Sequence, residues 1–316
     1  MPETTADQRG ILYPSRLPTF HREPVSEALA DRVRWIWIPR WDLPAGQRER
    51  QEVLPFPACN LVVEPDGVSL YGPTTSISYR ELEGRGWAVG ALLRPAGAGA
   101  LCSPSLIRDS HRPLEDPDLK VAVADAMADT NTTTGGQCAA SALAAWVAQY
   151  TGPPQAMALT ANRMEDVVAS DRSILRVDQL ARRLDLSIRS LQRLSERYIG
   201  LPPLAVIRRY RLQEAAQRLR EDPSVTVAQV AAELDYADHA YLSRLPKRPG
   251  LSHRASTDSR RSAIVGLLAT GSRPEPRGTS LDDVTPYQDS TRTGTVGAGQ
   301  WRAAATPIDC SHAESG

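Results

Sequence analysis

Three arginines recur along a short segment at intervals that place them on one side of a predicted helix. They are Arg189, Arg193 and Arg197. At about 100° per residue, the apolar residues of the segment fall roughly opposite, and they are Leu191, Leu194 and Tyr198. A guanidinium can pair with O6 and N7 of guanine or neutralise a phosphate, and Gln192 can reach an adenine edge. The segment predicts a helix that packs through one face and binds a duplex through the other. A solvated arginine face on a helical bundle is the alternative.

The helix that carries these arginines belongs to a pattern that occurs twice. The repeated residues are Val177, Gln179, Ala181, Leu184 and Asp185 in the first copy and Val227, Gln229, Ala231, Leu234 and Asp235 in the second. Each copy predicts a short helix, a tight turn and a second short helix, which is a helix-turn-helix. In the first copy, Asp185 can adopt a left-handed conformation in the turn, and Ser187 can cap the second helix. Gly200 is expected to end that helix.

Charge supports nucleic acid binding only locally. The 316 residues contain 37 basic and 37 acidic residues, so global charge indicates no attraction to nucleic acids or membranes. Residues 173–244 contain 12 arginines and 9 acidic residues, a net charge of +3. The composition excludes collagen-like, coiled-coil and wholly disordered chains. Because no secretory signal or membrane span is recognisable, we expect a cytoplasmic protein without a membrane partner.

Four stretches of the C-terminal half form a characteristic series. They are VDQLARRLDLSIRSLQR at 177–193, GLPP at 200–203, RLQEAA at 211–216 and the second repeat at 227–244. The series resembles the DNA-binding domain of the AraC/XylS family of transcription regulators. The resemblance implies two helix-turn-helix units joined by a long helix, here Pro203–Arg220, with their recognition helices in successive major grooves.

The resemblance also implies roles for individual residues. The implied base-facing residues are Arg189, Gln192 and Arg193 in the first unit and His239, Ala240 and Arg244 in the second. Arg197 extends the cationic face of the first recognition helix. We expect phosphate contacts from four flanking arginines, which are Arg182, Arg183, Arg208 and Arg209.

The N-terminal part of the chain is strand-like. Val33–Ile38 is aromatic and β-branched, and the runs Asn60–Val63 and Val68–Tyr71 flank a Pro-Asp-Gly turn, which predicts a β-hairpin. Residues 96–118 are rich in Gly, Pro and Ser and predict a loop. Residues 119–129, 137–150 and 155–169 favour helices. Part of this region, around 53–61 and 82–90, weakly resembles the sensor-type β domain of some AraC/XylS members.

The predicted fold class is α+β, with a β-rich barrel- or sandwich-like domain, a helical connector and an all-α double helix-turn-helix. The expected segments are a flexible N-terminus at 1–10, the β-rich domain at 11–118, the connector at 119–170, the DNA-binding domain at 171–250 and a disordered tail at 251–316.

The series departs from the family pattern directly after Arg244. A phenylalanine and an amphipathic run are expected there, whereas the chain reads Leu245-Pro-Lys-Arg-Pro-Gly250. Pro246 costs a helix interior about 3 kcal/mol, so the second recognition helix should end near Arg244. This departure predicts a truncated second unit, and a shifted reading frame or a degraded gene end is a hypothesis for its origin.

No constellation of catalytic or metal-ligating residues can be assembled from the sequence. Cys59, Cys102, Cys138 and Cys310 show no CxxC spacing, and we interpret them as ordinary reduced thiols. The five histidines form no HxH or HExxH arrangement, and neither a P-loop nor a G-x-S-x-G elbow occurs. We therefore expect no enzymatic activity, no cofactor and no metal.

These patterns together predict a sequence-specific transcription regulator of AraC/XylS type, with activation as the expected mode. Its expected partners are double-stranded DNA, RNA polymerase and a small effector of unknown identity, and the connector is compatible with a homodimer. The alternative is a ligand-binding or interaction protein whose DNA-binding module is vestigial.

Overall fold

An antiparallel sheet forms the centre of the part of the protein that the computed structural model describes, residues 19–221. Its strands are β1 (Thr19–Glu23), β2 (Val33–Asp42), β4 (Asn60–Glu64), β5 (Gly67–Tyr71), β7 (Arg85–Trp87), β8 (Val89–Leu93) and β9 (His111–Leu114). The strand order is β1-β2-β8-β4-β5-β9, and β7 pairs with the end of β2. A separate two-stranded ribbon consists of β3 (Arg48–Val53) and β6 (Ser78–Glu83). The β-rich domain is therefore confirmed.

The predicted hairpin is the β4–β5 pair. Asn60 lies opposite Tyr71, and the register continues to Glu64 opposite Gly67. Pro65 and Asp66 form the turn between them, as their preference for turn conformations predicts.

Seven α-helices lie within residues 19–221. They are α1 (Pro95–Leu101), α2 (Pro117–Met127), α3 (Thr132–Thr151), α4 (Ala156–Ser170), α5 (Val177–Leu184), α6 (Ile188–Tyr198) and α7 (Pro203–Glu221). Short 3₁₀ turns occupy Glu27–Leu29 and Pro104–Ile107. None of the helices in this range combines the length and apolar character needed to cross a bilayer.

The prediction that residues 96–118 form a loop was wrong. This stretch contains most of α1, a 3₁₀ turn and β9. Pro95 occupies the first turn of α1, where a missing backbone N–H costs nothing. The small Ala and Gly residues of α1 allow the helix to pack closely, and Ala96 and Ala98 are buried.

The two faces of the sheet pack into two different cores. From β2, Ile36 and Ile38 enter a core that contains buried residues of α2 and α3. Trp35 and Trp37, from the same strand, pack against a second core built from α4, α5, α6 and α7. The predicted connector helices thus divide between the two cores, with α2 and α3 in the first and α4 in the second. The tail expected at 251–316 lies outside the described residues.

Candidate nucleic-acid interface

The first helix-turn-helix has the predicted turn. The side chain of Gln179 accepts hydrogen bonds from the backbone N–H groups of Leu175 and Arg176, which satisfies donors at the start of α5. Asp185 follows α5 with φ 54° and ψ 45°, a left-handed conformation. The backbone N–H of Leu186 donates to the carbonyl of Ala181 at 2.9 Å and closes the turn.

Helix α6 begins and ends where the sequence predicted. The Oγ of Ser187 accepts a hydrogen bond from the backbone N–H of Ser190 at 3.1 Å. Gly200 follows the helix with φ +79°. The apolar face is buried in the second core through Leu191, Leu194 and Tyr198.

The opposite side of α6 is open to solvent. We call it the cationic face, and it consists of Arg189, Gln192, Arg193 and Arg197, all of which are exposed. The Arg197 guanidinium lies 5.3 Å from the centroid of the Tyr198 ring. Within residues 19–221, neither Arg189 nor Arg193 forms a hydrogen bond or ion pair, so both guanidinium groups keep their donors for a ligand.

The four arginines expected to contact phosphates do not share one environment. Arg182, Arg183 and Arg208 are exposed, and Arg182 pairs with Asp178 at 2.9 Å. Arg209 is half-buried: its Nε donates to the carbonyl of Thr74 at 3.1 Å and its Nη2 to that of Thr75 at 2.6 Å. Its donors therefore bind the β-rich domain, which departs from the expected phosphate contact.

The turn between α6 and α7 rests against the β-rich domain. A Cβ on Gly200 would lie 2.6 Å from the carbonyl carbon of Pro104 and 2.7 Å from the nitrogen of Ser105. Arg108 donates from Nε to the carbonyl of Gly200 at 2.7 Å, and its Nη2 pairs with Glu196 of α6 at 2.7 Å. These contacts fix the C-terminal end of α6 relative to the β-rich domain.

A buried carboxylate makes a second link between the β-rich domain and the helices. Glu165 on α4 is 2% exposed; it pairs with Arg34 at 2.9 Å and with Arg94 at 3.5 Å, and it accepts a hydrogen bond from the Tyr210 hydroxyl at 2.8 Å. Burial of Arg34 lowers its pKa, but the attraction of Glu165, Tyr210 and Asp166 and the hydrogen bond to Glu165 together outweigh that effect and hold the pKa above its ordinary value. Asp166 on α4 also pairs with Arg94, at 2.6 Å.

We call the contacts that Arg209, Arg108 and Glu165 make between the β-rich domain and the α4–α7 helices the junction. The pairings at the junction could not be predicted from the sequence, because they join single polar residues that are distant in the chain. No spacing rule connects Arg34 with Glu165 or Thr74 with Arg209.

The predicted base-facing residues of the second unit, His239, Ala240 and Arg244, lie outside the described residues. In the described range, His, Cys, Asp and Glu form no group of three or more that could hold a metal ion.

The chain matches two known domain families. Residues 180–248 match a helix-turn-helix domain, and residues 21–111 match a domain of unknown function. No curated protein matches the chain significantly.

The chain also shows similarity to solved structures at low sequence identity. The apo form of a ToxT variant from Vibrio cholerae is 12% identical over 66% of this chain and 92% of that chain, with a TM-score of 0.40. ToxT bound to (E)-4-(8-methylnaphthalen-1-yl)but-3-enoic acid is 10% identical over 66% and 93%, with a TM-score of 0.37. The AraC-like transcriptional activator CuxR is 15% identical over 65% and 89%, with a TM-score of 0.21.

The geometry of α5 and α6, together with the domain match over residues 180–248, defines a DNA-binding transcription regulator. The matched helix-turn-helix domain lies in the part of the chain whose sequence resembles the AraC/XylS family.

Proposed function

We propose that α6 is a recognition helix that enters the major groove and reads bases through Arg189, Gln192 and Arg193. The observation that carries this proposal is the division of α6 into a buried apolar face and an exposed cationic face. A helix held in this way can present its guanidinium groups to guanine edges without disturbing its own packing.

Exposed arginines beside α6 would supply affinity that does not depend on sequence. Arg182, Arg183, Arg197 and Arg208 are exposed and can neutralise phosphates. Each such contact releases counterions, so binding should weaken as salt rises. Together, base and phosphate contacts would give specific sites a higher affinity than the surrounding DNA.

The effector and protein partners belong to the same proposal. We assign effector binding to the β-rich domain, because it contacts the C-terminal end of α6 and could transmit a change there. RNA polymerase and a second copy of the chain are the proposed protein partners. Since the ligand is chromosomal DNA, we propose the cytoplasm as the place of action.

The test begins with the full chain and a random duplex library. Duplexes that the protein enriches are titrated by fluorescence anisotropy with the parent and with Arg193→Ala. The loss of a bidentate base contact should cost about 1 to 3 kcal/mol at the selected site. Arg48→Ala is the matched control, because Arg48 is an exposed arginine of the β3–β6 ribbon that pairs with Glu83.

Equal affinity of the parent and Arg193→Ala for the selected duplex would remove the assignment of Arg193. If no sequence is enriched and all duplexes bind with the same salt dependence, the sequence-reading role itself is wrong. The protein would then be the alternative, a ligand-binding or interaction protein with a vestigial DNA-binding module.

A further inference from the structure

Two cysteines that are distant in the sequence meet beside the first core. Cys59 lies directly before β4 and is 1% exposed. Cys102 follows α1 as its C-terminal cap and is half-buried. Their thiols are hydrogen-bonded to each other. Cys59 belongs to the first core and Cys102 packs against the same core, so the two thiols are neighbours in the fold although 43 residues separate them in the sequence.

The surroundings of the two sulfur atoms differ. Cys102 Sγ also donates to the carbonyl of Ala98 at 3.5 Å, which fixes its position at the end of α1. Arg112 on β9 donates to the neighbouring carbonyl of Leu101 at 3.1 Å and brings a positive charge close to Cys102. Cys59 is enclosed by apolar side chains of the first core.

These surroundings make Cys102 the more acidic thiol. The hydrogen bond from Cys59 lowers the pKa of Cys102; burial opposes this effect, and the charge of Arg112 supports it. The same hydrogen bond and burial raise the pKa of Cys59. A half-buried thiol with a lowered pKa, beside a second thiol and an arginine, is the arrangement that favours reaction with peroxides.

We propose that Cys59 and Cys102 form a peroxide-reactive pair, in which Cys102 is oxidised first and Cys59 then closes an intramolecular disulfide. The Cys102 thiolate attacks one oxygen of a hydroperoxide, the O–O bond breaks, and the departing oxygen takes up a proton. Cys102 becomes a sulfenic acid. The sulfur of Cys59, after losing its proton, attacks the Cys102 sulfur; the S–S bond forms, the S–O bond breaks and water leaves. Two thiols are oxidised while one peroxide is reduced.

The test uses the full chain with Cys310→Ser, so that Cys138 is the remaining thiol outside the pair. The protein is treated with one equivalent of hydrogen peroxide, and its peptides are mapped by mass spectrometry without reduction. We expect loss of two thiols, a linked Cys59–Cys102 peptide and full recovery with dithiothreitol. Cys138→Ser is the matched control, because Cys138 is a half-buried thiol on α3 and its removal should leave the linked peptide unchanged.

Two further variants separate the roles of the pair. In Cys59→Ser, or Cys59→Ala if the serine destabilises the core, Cys102 should remain a sulfenic acid that dimedone traps. Arg112→Ala should slow alkylation of Cys102 several-fold at neutral pH, whereas Arg112→Lys should largely restore the rate. Oxidation of Cys138 as fast as Cys102, no linked peptide, or a dimedone adduct on Cys59 instead of Cys102 would overturn the proposal.

Discussion

Arginines occur on two sides of the α4–α7 helices in opposite surroundings. At the junction, Arg34, Arg94 and Arg209 are largely removed from solvent. Carboxylates pair with Arg34 and Arg94, and backbone carbonyls accept hydrogen bonds from Arg209. On the cationic face, Arg189 and Arg193 extend into solvent without a partner among residues 19–221. The junction arginines therefore contribute to the folded state, whereas those of the cationic face have donors left for a ligand.

This contrast shows that an abundance of arginine does not by itself indicate a binding surface. The chain carries 37 basic residues, nearly all of them arginine, and identical side chains are half-buried and paired at one surface but exposed without a partner among residues 19–221 at another. What separates the two groups is burial and the presence of an acceptor. Substitutions at the two surfaces should therefore separate stability from DNA affinity.

The largest expected effect comes from removing the shared carboxylate of the junction. Glu165→Ala leaves the half-buried Arg34 and Arg94 without their buried carboxylate partner, with only the exposed Asp166 beside them, which should lower the free energy of unfolding by about 3 to 5 kcal/mol. Asp166→Ala is the matched control: Asp166 is 55% exposed, so its loss should cost about 1 kcal/mol or less. Urea titrations measure both. Equal losses in the two variants would mean that burial does not distinguish these carboxylates.

A methyl group at the α6–α7 turn should give the next largest effect. Gly200 and Gly46 both have positive φ, +79° and +80°, but nothing lies within 4 Å of a Cβ on Gly46. In both Ala variants the left-handed backbone should lower the free energy of unfolding by about 1 to 2 kcal/mol. Gly200→Ala should lose about 1 to 3 kcal/mol more, because its methyl group meets the backbone of Pro104. If thermal and urea unfolding cannot distinguish the two variants, the turn does not pack against Pro104.

The adjacent residues Arg208 and Arg209 give the most direct contrast. Arg209→Ala should reduce the free energy of unfolding by about 1.5 kcal/mol, because it removes charged hydrogen bonds to Thr74 and Thr75. Arg208→Ala should leave stability within about 0.5 kcal/mol of the parent. It should instead lower the slope of log affinity against log salt by about 1. Urea titration measures the stability of both variants, and anisotropy at several salt concentrations measures their DNA affinity. A stability loss in Arg208→Ala and a lower salt slope in Arg209→Ala would exchange the two roles.

The smallest effect should come from an ion pair on the exposed side. Desolvation opposes ionisation of Asp178, but the charges of Arg176 and Arg182 and the hydrogen bonds to the carboxylate together hold its pKa below the ordinary value. The folded state therefore binds the proton less tightly than the unfolded state, and the stabilisation is present above the unfolded pKa and lost as pH falls through the folded one. The free energy of unfolding of Asp178→Asn, measured by urea titration, should thus differ slightly from that of the parent at pH 7 and not at all in strong acid. A difference that grows on acidification would contradict this sign.

Local patterns predicted the helix-turn-helix in detail. The turn at Asp185, the cap at Ser187 and the end at Gly200 depend on neighbouring residues, so propensity and spacing were sufficient. The β4–β5 hairpin was predictable for the same reason. The loop prediction for 96–118 failed because the composition of α1 resembles a loop, and only its packing against other elements makes it a helix.

Contacts between distant residues could not be predicted from one sequence. Arg209 looked like another basic residue on an exposed helix, since nothing near it in the chain indicates Thr74 and Thr75. Cys59 and Cys102 were interpreted as unrelated thiols because no ligand spacing connects them. Both cases depend on how the sheet and helices come together, which is a property of the whole fold.

Strand β2 contributes alternate side chains to both cores, with Ile36 and Ile38 on one face and Trp35 and Trp37 on the other. As a consequence, the protein cannot be divided between the β-rich domain and the α4–α7 helices without exposing an apolar surface on each fragment. A C-terminal piece that starts after Ser170 would lose the covering of Tyr198 and Tyr210, and it would be prone to aggregation. Helix α6 is therefore best studied in the intact chain, where a single strand, β2, packs against both cores.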